Sequence, residues 1–172
     1  PEKALKSAIR IMKESGAHAV KLEGGKEVSE SISKIINAGI PVMGHLGLTP
    51  QSIYKFGTYN VRGKNKIEAD QLIEDAQTLE KLGCFSTVLE KIPHKLSEEI
   101  SKKTKFPLIG IGAGNNVDGQ VLVIHDLIGL TNEFNPRFIR RYLDLNSSIK
   151  SAVSQFIKDV KSSDFPSKDE MY

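Results

Sequence analysis

The chain has 172 residues, of which 39% are hydrophobic and 26% are charged, and its formal net charge is +3. This length and composition are typical of one globular domain, which we place over residues 1–172, and no apolar run approaches the roughly 20 residues of a membrane-spanning helix. The single cysteine, Cys84, cannot form an internal disulfide, so we expect a cytoplasmic protein in which Cys84 is a small buried side chain.

The first predicted pair of elements is a helix over residues 1–17 and a strand over residues 18–25. Apolar residues recur at helical spacing in the first segment, and Gly16 supplies a stop signal. The strand reads HAVKLEGG, and because side chains alternate along a strand, Lys21 and Glu23 point to the same face. Opposite charges on one face of a strand expected to be buried form either a structural ion pair or a pair with a chemical role.

The second predicted pair is an amphipathic helix over residues 28–39 and a strand over residues 40–47, with His45 near the end of the strand. The connection at residues 47–65 is far longer than most strand–helix loops, which favours a lid or a binding loop. An insertion packed on the surface is the alternative. We expect a turn of helix after Thr49. The loop also contains Tyr54, Phe56, Tyr59 and Arg62.

The third predicted pair begins with the longest helix, over residues 65–83, and continues with a strand over residues 85–93 that carries Glu90 near its end. The fourth pair is a helix over residues 94–104 and a buried strand over residues 106–114 that runs into glycines. The apolar face predicted for the longest helix consists of Ile67, Leu72, Ile73, Ala76, Leu79 and Leu82.

The last part of the chain gives weaker patterns. Residues 118–130 are apolar almost throughout, so periodicity does not choose between a strand and a buried helix. Residues 134–142 alternate arginines with aromatic side chains, a pattern that can stack on nucleic-acid bases. No recognised nucleic-acid-binding module surrounds them, and the other basic segment, residues 101–105, ends a predicted helix, so we expect no nucleic-acid partner. Residues 162–172 are polar, and we predict a frayed tail.

Alternating helices and strands predict an α/β fold with a parallel sheet. In such folds, ligands bind beyond the carboxyl ends of the strands. Each polar group at these ends also has a purely structural interpretation. Lys21 and Glu23 could form a buried ion pair, His45 could be a core histidine with its hydrogen bonds made internally, and Glu90 could lie at an exposed strand end. Because several candidates coincide at matching ends of successive strands, we favour one shared site. The candidates are Lys21 with Glu23, His45, Glu90, and the glycines Gly112 and Gly114.

The chemistry of these residue types suits a carbanion reaction. A carboxylate such as Glu23 can bind a hard divalent ion such as Mg²⁺. Lys21 would add positive charge where an enolate oxygen develops, and Glu90 could remove a proton next to a carbonyl. The sequence GIGAG at residues 110–114 is a weak match to a dinucleotide fingerprint. We interpret it as backbone brought close to a ligand, with Asp118 capping a following helix.

Several segments resemble the ketopantoate hydroxymethyltransferase family and occur in family order over residues 1 to about 145. They are AVKLEGG, GIPVMGHLGLTPQS, FGTYNVRGK, LEKIP and FPLIGIGAGNNVDGQVLVIHDLIGL. The resemblance implies a (β/α)8 TIM barrel of the phosphoenolpyruvate/pyruvate superfamily, with about the last five βα units present in this chain. It also implies Mg²⁺ as cofactor and transfer of a one-carbon unit from the cosubstrate 5,10-methylenetetrahydrofolate to 3-methyl-2-oxobutanoate. The product would be 2-dehydropantoate, for pantothenate and coenzyme A synthesis.

The resemblance also assigns roles to single residues. Glu23 matches the family's metal-binding glutamate, Lys21 its substrate-binding lysine and Glu90 its proton acceptor, while His45 matches an active-site histidine. Two further metal-binding aspartates and a substrate-binding serine are implied in an N-terminal segment that this sequence does not contain, because such a barrel needs about 250 residues. We therefore expect a longer native polypeptide, and no turnover from this chain alone.

Two other functions remain open at this point. The chain could belong to another Mg²⁺-dependent carbon–carbon lyase of the same superfamily, or it could be a non-catalytic assembly module. The resemblance further implies a homo-oligomer built from pentamers, such as a decamer. Its small-molecule partners would be 3-methyl-2-oxobutanoate and tetrahydrofolate.

Overall fold

The computed structural model describes residues 1–131, 133 and 135–172. These residues group into two compact units, Pro1–Val121 and Leu122–Tyr172. The assignment of residues 1–172 to a single domain stays a prediction.

Phe134, in the basic segment, lies outside the described residues, and so does the side chain of Phe56 in the long loop. The helices of the described part of the chain include none that is long and apolar enough to cross a membrane.

The first unit alternates helices and strands, as the sequence predicts. Short 3-10 turns at Lys26–Val28 and Pro50–Ser52 precede the second and third helices, and the second of these turns lies where a turn of helix was expected after Thr49. In chain order the elements are α1 (Glu2–Ser15), β1 (Val20–Glu23), α2 (Ser29–Asn37), β2 (Val42–Gly47), α3 (Ile53–Phe56), α4 (Lys66–Lys81), β3 (Ser86–Glu90), α5 (His94–Lys103), β4 (Leu108–Ile111) and β5 (Gly119–Gln120).

Local sequence explains where the helices begin and end. The backbone of Gly16 is left-handed with φ of 69°, and it ends α1 at the predicted position. At the start of α4, the side chain of Asn65 accepts a hydrogen bond of 2.9 Å from the backbone N–H of Glu68. The buried face of α4 is largely the predicted one, with Leu72, Ile73, Ala76 and Leu79.

The prediction for Ile67 on that face is wrong, because its side chain is 85% exposed. Ile67 precedes Leu72 by five residues, and five residues turn a helix through about 500°. The two side chains therefore lie on different sides of α4. Leu82, at the other end of the predicted face, packs at the edge of the core.

The five strands form one parallel sheet in the order β1-β2-β3-β4-β5. Parallel strands joined by right-handed crossovers in sequential order keep all the connecting helices on one face, whereas a doubly wound sheet reverses its order. The arrangement is that of consecutive βα units in a (β/α)8 barrel. The predicted fold class is confirmed, with about five units present.

The hydrophobic core lies between the sheet and its helices. Side chains from α2, α4 and α5 meet the helix-facing positions of the strands, and each fully buried aliphatic side chain contributes roughly 1.5–3 kcal/mol. Cys84 belongs to this core, as predicted, and burial raises the pKa of its thiol to about 11. The most deeply buried aliphatic residues are Ile32, Ile35, Val42, Leu79, Leu89, Ile100 and Leu108.

The segment at 118–130 resolves into two short elements. It contributes β5 and then α6 (Ile124–Leu127), which has no buried residue, so neither the strand nor the buried helix describes it alone. Asp118 does not cap a helix, contrary to the prediction. Its carboxylate accepts a hydrogen bond of 2.8 Å from the backbone N–H of Leu108 and thereby joins the start of β4 to the approach to β5.

The second unit contains a helix that the sequence analysis did not predict, α7 (Leu145–Lys161). The tail predicted to fray carries a 3-10 turn at Lys168–Glu170, closed by a reciprocal capping box between Ser167 and Glu170. Phe165 also packs edge-to-face against Phe156 of α7, with 5.4 Å between the ring centroids.

Candidate active site

The candidate residues at the ends of β1, β2 and β3 meet around the imidazole of His45. Strand register aligns Glu23 with His45 and places Gly47 opposite Glu90, so the polar side chains share the sheet face that points away from the core. The Nζ of Lys21 lies 2.9 Å from Nδ1 of His45, and Oε1 of Glu23 lies 3.7 Å from the same nitrogen. On the other side of the ring, Nε2 lies 3.1 Å from Oε2 of Glu90.

The contact with Lys21 indicates which tautomer the buried imidazole has when it is neutral. A lysine ammonium has only donors, so Nδ1 of His45 must accept, and in a neutral ring the proton is on Nε2. Nε2 faces Glu90 at contact distance but makes no hydrogen bond of acceptable geometry. The 3.1 Å separation is within hydrogen-bond distance, and a small rotation of the Glu90 carboxylate would align the bond. The result is a polar chain from Lys21 through His45 to Glu90.

The strand that carries Lys21 and Glu23 was expected to be buried, and this is wrong for the face that carries them. Lys21 is exposed and Glu23 is half-buried, because they project from the open face of β1 while Val20 projects into the core. The ion pairs among the described residues do not include one between Lys21 and Glu23. Lys21 binds His45 instead, and Oε2 of Glu23 accepts a hydrogen bond of 2.9 Å from the backbone N–H of Gln51.

The donor set near Glu23 fits one ligand of a hard cation. One oxygen of Glu23 is used by Gln51, which leaves Oε1 for a metal ion, and Mg²⁺ commonly takes one or two protein carboxylates and completes its shell with water and substrate oxygens. Within the described residues, no group of three or more His, Cys, Asp or Glu side chains is placed to hold a metal ion. Glu23 is therefore a single potential ligand rather than a complete site.

The long loop after β2 is anchored on the strand end that carries Glu90. The backbone N–H of Leu48 donates to the carbonyl of Glu90 at 2.8 Å, and that of Arg62 donates to the carbonyl of Lys91 at 2.9 Å. Lys91 has a left-handed backbone with φ of 50°, which is uncommon for a residue other than glycine. Its ammonium donates to the carbonyl of Tyr59.

These hydrogen bonds bear on whether the loop is a surface insertion or a lid or binding loop. Tyr54 is 98% exposed, as in a surface insertion, but the backbone on either side of it is bonded to Glu23, Glu90 and Lys91. Sequence reasoning missed Gln51 and Lys91. It had no signal for either, since Gln51 acts through its backbone and a left-handed lysine cannot be recognised from residue type.

Gly114 has a packing role, and the predicted approach of the glycines after β4 to a ligand stays a prediction. A Cβ on Gly114 would lie 2.5 Å from Cβ of His94, at the start of α5. Gly114 also has φ of 85°, which other residues rarely adopt. The glycine therefore lets β4 run close beneath α5.

A cavity of about 530 Å³ adjoins the polar chain and shares His45 with it. It is lined by the turn after β1, the start of the long loop and one side of α4. Asp75 of α4 lines this cavity and is buried, which raises the pKa of its carboxyl group. The hydrogen bonds that it accepts from the Lys26 backbone and the Gln71 side chain oppose this shift. Sequence reasoning gave Asp75 no role, because an aspartate within an amphipathic helix ordinarily faces solvent.

Comparisons with known proteins agree over nearly the whole chain. A sequence model of the family described as ketopantoate hydroxymethyltransferase matches residues 1–168. Proteins named 3-methyl-2-oxobutanoate hydroxymethyltransferase are 68% identical in Flavobacterium johnsoniae and 66% identical in Christiangramia forsetii, over all 172 residues and 63% of each relative. The protein of that name from Cytophaga hutchinsonii is 63% identical over 98% of this chain and 62% of its own length. The chain thus spans about 63% of the length of the curated relatives it matches.

Proposed function

Because this chain belongs to the ketopantoate hydroxymethyltransferase family, we propose that the intact protein transfers a one-carbon unit from 5,10-methylenetetrahydrofolate to 3-methyl-2-oxobutanoate. The product is 2-dehydropantoate, an intermediate of pantothenate synthesis. The observation that carries the proposal is the contact chain from Lys21 through His45 to Glu90. A carboxylate base held near a fixed cation suits removal of a proton next to a carbonyl group.

In this proposal Glu90 takes the proton from C3 of the oxo acid, and the electrons of that C–H bond form the enolate. Neutral His45 directs its Nε2–H toward one oxygen of Glu90, which orients the carboxylate and leaves the other oxygen to accept the proton. The positive charge of Lys21 stabilises the developing enolate oxygen. Water adds to the methylene carbon of the cosubstrate and both of its C–N bonds break, which releases tetrahydrofolate, with the two water protons on its nitrogens, and the carbon as formaldehyde. C3 of the enolate then forms the new carbon–carbon bond to that carbon, and the resulting alkoxide takes the proton back from Glu90.

Glu23 would hold Mg²⁺ through Oε1, the oxygen that Gln51 does not use. When bound there, Mg²⁺ would polarise the carbonyl of the oxo acid as a Lewis acid. The residues of this chain contribute the rest of the step: Lys21 compensates negative charge, and Glu90 moves the proton. Glu23 and Glu90 are thus assigned different tasks, as a metal ligand and as a base.

The substitution Glu90→Gln tests the assignment of the base. In the intact protein we expect the rate of hydrogen–deuterium exchange at C3 of 3-methyl-2-oxobutanoate to fall by about 100-fold or more, because glutamine cannot accept the proton. Binding of the oxo acid should change by less than about twofold. Exchange is followed by NMR in D₂O, without folate.

The matched control is Glu99→Gln on α5, where the carboxylate forms an exposed ion pair with Lys103. This control should exchange at the wild-type rate. An exchange rate in Glu90→Gln equal to that of the control would remove Glu90 from its role as base.

A further inference from the structure

The cavity beside His45 contains two polar side chains that the proposed proton transfer does not use. Asp75 is 7% exposed and Thr49 is 5% exposed, and both line the cavity. Side chains this deeply buried normally have hydrogen-bond partners. Their open hydrogen-bonding capacity therefore indicates what the cavity is able to bind.

The two hydrogen bonds to Asp75 converge on one of its oxygens. Oδ1 accepts from the backbone N–H of Lys26 at 2.9 Å and from Nε2 of Gln71 at 3.0 Å. Oδ2 has no hydrogen-bond partner in the described part of the chain, and no ion pair among those residues includes Asp75. The hydroxyl of Thr49 caps no backbone group of the 3-10 turn that follows it.

The surroundings hold this carboxylate against the turn after β1. A Cβ on Gly25 would lie 2.1 Å from Cγ of Asp75, so only glycine permits this packing. The negative charges of Glu27 and Glu74 add to the cost of keeping the buried Asp75 ionised. A ligand with N–H donors would relieve that cost, whereas an anionic acceptor would increase it.

This requirement distinguishes between the two substrates of the proposed function, on which the inference rests. The oxo acid presents only acceptor oxygens, whereas the pterin ring of a folate carries an amino group beside a ring N–H. We propose that this cavity binds the pterin ring of the folate cosubstrate, with Oδ2 of Asp75 accepting from the amino-pyrimidinone edge and the Thr49 hydroxyl contacting the same ring.

The position and size of the cavity agree with this assignment. A volume of about 530 Å³ is within the usual range for small-molecule sites and exceeds what a bicyclic ring needs. His45 lines the same cavity, so a ligand bound there ends beside the polar chain that reaches Glu90. The exposed ammonium groups of Lys26 and Lys55 also line it and would meet the carboxylates of the glutamyl tail.

The substitution Asp75→Asn in the intact protein tests the proposal. Asparagine keeps an acceptor for Lys26 and Gln71 but lacks the negative charge at Oδ2. We expect the affinity for tetrahydrofolate, measured by calorimetry, to fall about tenfold or more. Folate-independent exchange at C3 of the oxo acid should stay within about twofold of wild type, which also shows that the turn after Glu23 is undisturbed.

Two further variants keep the test decisive. Asp70→Asn, on the exposed side of the same helix, where the carboxylate pairs with Lys66, should bind tetrahydrofolate like wild type. Thr49→Val should weaken tetrahydrofolate binding at least about threefold. If Asp75→Asn does not fold, this variant alone tests whether the cavity binds the pterin ring. Wild-type affinity in both cavity variants would overturn the proposal. The two proposals can fail separately. If the wild-type protein binds tetrahydrofolate but shows no exchange at C3, and Asp75→Asn weakens that binding, the proposed function fails while the pterin site is supported.

Discussion

His45 and Asp75 show how single residues acquire their chemistry from neighbours on other elements. His45 occupies a strand end next to glycine, and in sequence it is equally compatible with a satisfied core histidine. Its proton position depends on Lys21 of β1, and the group it faces is Glu90 of β3. The sequence could place all three residues at strand ends, but it could not show that His45 connects the other two, because that depends on strand register and rotamers.

The protonation of Asp75 gives a prediction about stability and pH. Because burial raises the pKa of Asp75 above its ordinary value of 3.8, the folded state binds this proton more tightly than the unfolded chain. The stabilisation from this group is complete below the unfolded pKa and is lost as the pH rises through the folded pKa. We expect Asp75→Asn to raise the free energy of unfolding at pH 7 by on the order of 1 kcal/mol.

Urea unfolding at several pH values between 4 and 7 measures this effect, with Asp70→Asn as the control. The variant should lose less stability than wild type as the pH rises through this range. A lower free energy of unfolding at pH 7 would mean that the ionised carboxylate gains more from its hydrogen bonds with Lys26 and Gln71 than it loses by burial.

At the scale of elements, the chain after β2 passes very close to the end of β3. Gly47 has φ of 91°, and a Cβ there would lie 2.2 Å from the carbonyl oxygen of Glu90. Gly57, in the same loop, has φ of 66° but no heavy atom within 4 Å of the corresponding position. The two glycines share a left-handed backbone and differ in the space around them.

This pair gives a matched test of the close approach. Gly57→Ala should lower the free energy of unfolding by roughly 1 kcal/mol, because alanine is strained in a left-handed backbone conformation. Gly47→Ala should destabilise the protein by roughly 2 kcal/mol more, because the clash displaces the strand end that holds Glu90. Thermal unfolding of both variants measures the difference. Equal losses of stability would show that the backbone at Glu90 can move to accommodate the added Cβ without an energetic penalty.

The same scale shows where prediction from sequence succeeds. The helix–strand alternation and the caps at Gly16 and Asn65 are local signals, so the element order of the first unit followed from the sequence. Local patterns could not supply the tie between Asp118 and Leu108 or the left-handed backbone of Lys91. Both depend on residues that are distant in the chain or on backbone geometry.

For the whole molecule, α7 presents an apolar stripe that the sequence analysis overlooked, although its spacing is helical. The members of this stripe are all about half exposed, and contiguous exposed apolar surface of this kind marks an interaction site. The homo-oligomer that the family resemblance implies stays a prediction, and we predict that this stripe lies in one of its subunit contacts. The stripe consists of Ile149, Val153, Phe156, Ile157 and Val160.

A double substitution on α7 tests this assignment. Val153→Ser with Ile157→Ser should lower the oligomer mass of the intact protein, because it removes apolar area that the contact would bury. Light scattering after size-exclusion chromatography measures the mass. The control pair, Ser154→Ala and Gln155→Ala, changes the same helix outside the stripe, and an unchanged mass in the first pair would separate α7 from assembly.

One backbone amide links the proposed metal ligand to the long loop after β2. Gln51 lies in the 3-10 turn at Pro50–Ser52, and its N–H donates to Oε2 of Glu23, so this carboxylate ties the start of the loop to the end of β1. A cation bound to Oε1 would therefore share one carboxylate with the backbone of the loop. The first turn of the loop thus belongs to the immediate surroundings of the proposed metal ligand and is more than a connection between β2 and α4.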